Sequence, residues 1–588
     1  MADEESLSRG AEFLWMAAGS RQIMAPERFS DEQRAMAEAG REFSEKEILP
    51  RLADIEAKKP GLMPELLRKA GELGLLMVDV PEQYGGLGLD KTTSMLLAEQ
   101  FSCVGSFAVS LGAHTGIGTM PIVYFGTEQQ KRAYLPDLAT GKRLAAYALT
   151  EATSGSDALA ARTRAVLSDD GGHWILNGTK QFITNAGFAD VFTVFAKVDG
   201  EKFTAFIVDR STPGLDVGPE EHKMGIRGSS TCSLLFEDAK VPSANLLGEI
   251  GKGHRIAFNI LNVGRIKLGV GTIGACKHAL RLATRYAKER EQFGRPIASF
   301  GLVANKLAEM ACRIFAGESM GYRTTGLIDE HLARAETDAE RVAAIEEFSV
   351  EASIIKVFGS EALDYCADEA VQIYGGYGFI EDYEPARILR DSRINRIFEG
   401  TNEINRLIVP GTLLRRAMKG ENPLLEHAAE VRQRIAQGKL PARADGALAV
   451  ESQVAELAKW ITIYVLAAVV ETYRVKVAEE QEILGAVADM IARAYEIDSV
   501  VQRARQILAG GDERSKKIAR DFVTALVPRA YSFVAHTGRH VLMDVYDDPT
   551  LSDHLAAVDK LRMDWPCKVI EAQRRLAAAV VDAGGYPL

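Results

Sequence analysis

The sequence predicts a mostly α-helical protein with a central β-domain and an extra helical bundle at its C-terminal end. Three observations predict it. Past Gly141 the texture changes to short β-branched and aromatic runs bounded by Gly, Asn, Asp and Pro. From Ile256 to about Leu414 long helical patterns return. After a stretch holding Pro423, Gly438 and Pro441, amphipathic helical patterns resume as far as Val581. At 588 residues the chain is too long for one core and suggests three or four domains.

Residues 1–141 read as an N-terminal helical domain. Asp31-Glu32-Gln33-Arg34 opens a helix with acids at its favourable dipole end. Leu67, Ala70, Leu73 and Leu75 give an apolar stripe, and Pro81 to Gly88 a loop. Residues 142–248 read as the β-domain. There Trp174 to Lys180 is a strand running into a turn, and Val191–Ala196, Phe203–Val208 and Thr231–Phe236 are further strands. Residues 249–418 suggest an antiparallel helical bundle, 419–446 a linker, and 447–588 a second bundle. Gly510-Gly511-Asp512 and Asp547-Asp548-Pro549 divide that second bundle. The most membrane-like run, Trp460 to Val470, reads as too short to span a bilayer.

Composition excludes several classes. With 47% hydrophobic and 26% charged residues the chain is ordinary globular material. A net charge of −11 argues against a nucleic-acid surface, which needs a cationic footprint. Six cysteines lie far apart with no C-x-x-C pair, which predicts a reducing compartment rather than a zinc site or disulfide framework. The acidic start, Met1 to Ser6, has neither a secretory nor a transit pattern and predicts a cytoplasmic location. Gly269-Val270-Gly271-Thr272-Ile273-Gly274 matches the dinucleotide fingerprint literally, but a helical pattern precedes and follows it. Close helix packing is the better reading. His536 and His540 share a helix face without a third ligand, so no metal site is assigned.

The chemistry concentrates in Arg396-Ile397-Phe398-Glu399-Gly400-Thr401-Asn402-Glu403-Ile404-Asn405-Arg406. Apolar neighbours raise the pKa of a carboxylate such as Glu399 toward neutrality, which suits a general base. Read alone, the stretch is equally an ordinary helix start with Thr401 as N-cap. Four further segments carry polar or glycine-rich loops: Tyr147 to Asp157, Lys180 to Gly187, Arg290 to Pro296, and Gln372 to Gly378. The small hydroxyl residues of the first suit a polar ligand. The Arg and aromatic of the third suit a pyrophosphate beside a ring. The glycines of the fourth permit close backbone approach. Each is also readable as a plain surface loop.

Together and in this order, the five segments resemble the acyl-CoA dehydrogenase family over roughly Phe29 to Leu414. The helix–β–helix order is that of the family fold, with its β-barrel-like middle domain. The extra C-terminal bundle is similar to that of the very-long-chain branch. The resemblance implies FAD as cofactor and Glu399 as the catalytic base. It implies that Tyr147, Leu149, Thr150, Ser156, Phe182, Thr184, Arg290, Phe293, Gln372, Gly375, Gly376, Thr401 and Glu403 serve the cofactor. Ser156, Asn262, Arg265 and Gly400 would serve the substrate. Phe182 and Ala186 stand where the family has Trp and Gly, so an aromatic face survives without the indole N–H. Some relatives carry the base on the helix just before the Arg; here that position is Gly264, which cannot titrate. The Arg290 and Gln372 segments reach FAD across a subunit interface in the family, which implies a homodimer.

The implied reaction is α,β-dehydrogenation of acyl-CoA to trans-2-enoyl-CoA in fatty acid β-oxidation. Glu399 takes the α-proton, and its backbone N–H steadies the thioester oxygen. Electrons would pass to an electron-transferring flavoprotein. Small residues in Leu111 to Gly118 leave room for a long acyl tail, or allow close helix packing. The C-terminal bundle would cover the surface that short relatives use to form tetramers, touch a membrane peripherally, or simply stabilise. Two competing readings are an acyl-CoA oxidase and a dehydrogenase-like assembly or binding protein.

Overall fold

The computed structural model describes residues 7–19, 21–443 and 445–588, so the acidic start read at Met1 to Ser6 lies outside the described residues. Helices fill residues 31–139, beginning with Asp31–Phe43, whose N-cap Ser30 and Gln33 form a reciprocal capping box. The next helix with an apolar stripe, Leu62–Glu72, buries Leu62, Met63, Leu66, Leu67 and Ala70. The stripe stops there. Leu73 is exposed and Leu75 lies beyond the helix, because Gly74 turns the chain in the left-handed region.

The middle of the chain is an eight-stranded sheet. Its order runs Leu215–Val217, Thr231–Pro242, His173–Thr184, Arg164–Leu167, Val191–Val198, Lys202–Asp209, Leu246–Leu247. Ala145–Ala148 joins it by pairing parallel with Val191–Val198. One expectation is corrected. The strand starting at Trp174 does not turn at Lys180 but continues to Thr184, paired with Thr231. Register shifts between Leu176 and Gly178 and between Lys180 and Ile183 absorb the irregularity as bulges.

Helices Gly253–Glu289, Gly301–Leu332 and Ser349–Tyr374 build the next layer. The glycine fingerprint lies inside the first of them. A Cβ on Gly274 would come within 2.0 Å of the Glu99 carbonyl oxygen, and one on Gly269 within 2.8 Å of that of Ile355. Those glycines let neighbouring backbones touch, so their spacing reflects packing. A short exposed hairpin, Glu291–Gln292 with Arg295–Pro296, interrupts the helices.

The stretch read as a linker carries a helix of its own, Leu424–Ala436, which buries Leu424, Ala428, Val431 and Ile435. Four long helices follow: Ala449–Tyr473, Gln481–Gly510, Glu513–Val545 and Val569–Ala583. The apolar run at Trp460 is also longer than read. By length and composition Ala449–Glu479 is apolar enough to cross a membrane, while 78% of its most apolar window is buried inside the fold. His536 and His540 face each other with ring centroids 4.3 Å apart.

The C-terminal helices share one apolar cluster with the layer before them. Phe522 stacks on Phe315 at 4.5 Å. Buried ions tie the seam: Arg503 to Glu318 at 2.7 Å, and Asp498 to both Arg323 at 2.6 Å and Lys459 at 2.9 Å. Because Gly274 sits against backbone, Gly274→Val is expected to destabilise the protein by about 1–3 kcal/mol through overpacking. A lowered denaturant midpoint with an unchanged slope checks it.

Candidate active site

The site grows from a turn between two helices. Glu384–Ser392 runs into a short 3-10 segment, Arg393–Arg396, and Asn402–Met418 begins after it. Between them Glu399 takes φ 59° and Gly400 φ 79°. The left-handed region strains a glutamate, so neighbours must hold it there. Asn405 donates Nδ2–H to the carbonyls of Gly400 at 2.8 Å and Thr401 at 3.0 Å. Lys356 donates to Gly400 O at 2.7 Å and Asn402 Oδ1 at 2.8 Å. Arg265 donates Nε–H to Glu399 O at 3.2 Å and reaches Asn262 Oδ1 at 2.8 Å. Thr401 is also the helix N-cap, accepting from Ile404 N–H at 3.2 Å. The two readings of this stretch are therefore compatible: the helix start supports the turn that carries the carboxylate.

The Glu399 side chain points at the helix Gly253–Glu289. A Cβ built on Gly264 would lie 2.4 Å from Glu399 Oε2. Only a residue without a side chain fits there. Oε2 is buried and has no hydrogen-bond partner. Burial raises the pKa of Glu399 to about 7, against the pull of Arg265 and Lys356. Burial likewise lowers Arg265 to about 10 and Lys356 to about 8, while the glutamate opposes both shifts. The Tyr147 hydroxyl is raised well above its usual value by burial and by Glu399. The backbone N–H groups of Ile397 and Phe398 bond to Ile394 O, whereas that of Glu399 has no partner among the described residues.

Glu399 lines one end of a cavity of about 160 Å³. Thr184 lines it too, delivered by the bulged strand. In that bulge Phe182 takes φ 60° and stands 58% exposed, its ring turned out of the sheet. Lys180, fully buried, joins this strand to the neighbouring loop. Its ammonium reaches Glu151 Oε1 at 2.6 Å and Leu149 O at 3.2 Å. Gln181 N–H adds a bond to Thr150 O at 2.9 Å. Burial lowers the Lys180 pKa to about 8 despite Glu151. Leu149, Thr150, Phe182 and Thr184 are thereby brought to one side of the sheet. Ser156 is exposed in the loop that follows.

The structure divides the expected residues into two groups. Glu399, Gly400, Asn262, Arg265, Tyr147 and Thr184 gather around the buried carboxylate. Arg290, Phe293, Gln372, Gly375, Gly376 and Glu403 are exposed, and none lines the cavity. Phe293 is 94% exposed at φ 54° in the hairpin. Gly375 and Gly376 have no atom within 4 Å of an added Cβ. An open glycine cradle, an arginine and outward-facing rings fit the diphosphate and ring systems of FAD. Sequence reasoning missed Lys356, Asn405 and the Lys180–Glu151 pair. Lys356 left a signal, since one lysine interrupts the apolar run Ser353-Ile354-Ile355-Lys356-Val357.

The small residues of 111–118 divide between the two readings given them. Leu111, Gly112, Ala113 and Ile117 line the cavity, and a Cβ on Gly112 would meet nothing within 4 Å. Gly118 instead packs, since its Cβ would lie 2.7 Å from Ala113 O.

Two changes test the site. Gly264→Ala should displace the carboxylate and lower turnover by at least about tenfold with FAD content unchanged; the flavin spectrum and kcat check it. A base with a pKa of about 7 works only when deprotonated. kcat/KM should therefore fall about tenfold per pH unit below that value and level off above it.

Models of the acyl-CoA dehydrogenase N-terminal, middle and C-terminal domains match residues 30–142, 146–239 and 251–414. A further acyl-CoA dehydrogenase C-terminal domain model matches 457–560. The chain is 48% identical to a probable acyl-CoA dehydrogenase of Bacillus subtilis (strain 168), covering 99% of this chain and 98% of that one. It is 43% identical to the mitochondrial very long-chain specific acyl-CoA dehydrogenase of Homo sapiens, over 58% of this chain and 51% of that one. The crystal structure of an acyl-CoA dehydrogenase complexed with FAD from Bacillus anthracis superposes with a TM-score of 0.97. The identity is 47%, over 99% of this chain and 100% of that one. Butyryl-CoA dehydrogenase from Megasphaera elsdenii gives a TM-score of 0.61 and 37% identity, over 66% of this chain and 99% of that one.

Proposed function

The chain belongs to the acyl-CoA dehydrogenase family, and on that premise we propose that it oxidises long-chain acyl-CoA to trans-2-enoyl-CoA in fatty acid β-oxidation. It is an FAD-dependent oxidoreductase. The observation that carries the reading is the Glu399 carboxylate, its Oε2 buried and unpartnered, at the head of a cavity with largely apolar walls.

FAD, when bound, supplies the two-electron acceptor for the β-hydrogen. The remaining work falls to the chain. Glu399, with its pKa near neutrality, takes the α-proton of the thioester at Oε2. Charge developing on the thioester oxygen is met by the Glu399 N–H, which the turn leaves unengaged. Arg265, Lys356 and Asn405 hold that turn, so its N–H and carboxylate arrive in fixed relation. Phe182 and Thr184 would face the flavin, with Tyr147, Leu149 and Thr150 in support. Arg290, Phe293, Gln372, Gly375 and Gly376 would bind the distant half of FAD, with a second copy of the chain completing that surface. Ser156 sits on the route of the CoA arm, and Thr401 and Glu403 flank the cofactor near the helix start.

Helix Gly301–Leu332 supports the dimeric reading, because the chain's own C-terminal helices cover it. A short relative would have to cover it with another subunit. An electron-transferring flavoprotein is the proposed electron acceptor, and the cytoplasm the proposed location.

Anaerobic titration of the purified flavoprotein with palmitoyl-CoA tests the reading. The flavin absorbance should bleach as enoyl-CoA forms; a flavin that stays oxidised with every thioester tried would overturn it. Glu399→Gln should retain FAD and acyl-CoA binding and lose about 10²- to 10⁴-fold in turnover. Near-full activity in that variant would remove the base from Glu399.

A further inference from the structure

Three walls of the cavity run in the same order away from Glu399. On helix Gly253–Glu289 the lining residues climb from Gly264 to His278. On the opposite wall they pass from Phe398 through Asn395 and Asp391 to Arg387. On the N-terminal helices they pass from Ile117 through Gly112 to Gly105. Contacts fix the register between walls. Near the head, Lys267 reaches Thr115 Oγ1 at 3.2 Å. At the far end, a Cβ on Gly105 would meet Asp391 Oδ2 at 3.1 Å, and Arg387 donates to Cys103 O at 3.2 Å. Gly264 and His278 are fourteen residues apart, about 21 Å at the helical rise. One leaflet's acyl chain occupies roughly 15 Å, half of a bilayer core. Only a tail longer than that, placed by the proposed chemistry, approaches Arg387.

That end is not apolar. Arg387, His278 and Asp391 are all buried. Glu384 accepts from Arg387 at 3.2 Å and pairs with His278 at 2.9 Å, and Arg387 reaches Asp391 at 3.1 Å. Arg281 engages the other ring nitrogen of His278 at 3.1 Å. The hydroxyls along the wall are satisfied by their own backbone: Ser102 by Ala98 O, Thr272 by Gly269 O, Ser392 by Leu389 O. Among described residues lining the cavity, two buried side-chain polar atoms lack a partner. One is Glu399 Oε2 at the head; the other is Arg387 Nε at the foot. The Nε atoms of Arg390 and Arg396 are also unpartnered, but neither residue lines the cavity.

We infer that the foot of this cavity, at Arg387 and Asp391, is a subsite for an acyl chain carrying a hydroxyl at its ω-end. The inference rests on the dehydrogenase reading above. A hydroxyl is both acceptor and donor, so it can take the Arg387 N–H and give its own proton to Asp391. A carboxylate would meet Asp391 and Glu384 as like charges. A methyl terminus would leave the arginine unsatisfied.

The test measures kcat/KM for acyl-CoAs of ten to eighteen carbons, each with an ω-methyl, ω-hydroxyl or ω-carboxyl end. A wholly apolar cavity would reject the hydroxyl by roughly tenfold to a hundredfold at every length. The subsite instead predicts a hydroxyl-to-methyl ratio that rises to one or above at the length reaching Arg387 and falls on either side. Arg387→Met should lower that peak ratio at least about tenfold, whatever it does to both rates. A ratio below about 0.1 at all lengths, a preference for the carboxylate, or an unchanged ratio in Arg387→Met would overturn the inference. Should Arg387→Met fail to fold, the length profile of the unaltered protein decides alone. Failure of the dehydrogenase reading looks different, since no thioester of any kind would then bleach the flavin.

Discussion

A carboxylate with one oxygen buried and without a hydrogen-bond partner is the constraint around which this molecule is arranged. Left alone, such a group would take up a proton and stay neutral. Two buried cations, Arg265 and Lys356, offset the burial just enough to leave Glu399 near neutrality. Each of them is shifted in turn by its own burial. The three charges come from three separate elements, so packing errors in any one of them are felt at the other two. Gly264 is the steric counterpart of the same constraint, since its missing side chain is the space the carboxylate occupies.

The sheet applies a similar economy to the opposite side of the site. A regular strand would place Phe182 on the same face as the buried Lys180, two residues before it, and could not leave Phe182 exposed. The bulge after Lys180 breaks the alternation. The buried lysine at its start then fastens the strand to Leu149 and Glu151. Geometry on that side of the site thus depends on an ion pair that no solvent screens.

Much of this was legible in the sequence because local chemistry and fold agree. The strands, the long helices, the glycine fingerprint inside a helix and the turn at Glu399 all follow from short-range patterns. What escaped was nonlocal. Nothing near Lys180 shows that Glu151 will neutralise it, twenty-nine residues earlier in the chain. Nothing in Gly264 shows that a carboxylate from residue 399 needs its space; the titration argument noted only that glycine cannot be a base. The helix at Leu424–Ala436 hid behind flanking Pro and Gly, which read as a linker although the residues between them carry a helical apolar stripe. Leu73 and Leu75 extended a stripe past Gly74, where a single left-handed residue outweighed hydrophobic periodicity.

The seam between the C-terminal helices and the rest of the chain has a consequence for how the protein comes apart. Glu318 lies buried between Lys277 of one half and Arg503 of the other, with the Tyr586 hydroxyl donating to it at 2.8 Å. Peeling the terminal helices away would take Arg503 and Tyr586 from Glu318 and Asp498 from Arg323, and would expose the apolar surface both halves share. Neither half can therefore open while the other stays comfortable. The extension behaves less like an appendage than like a keystone, and loss of order on heating should spread across the seam rather than stop at it.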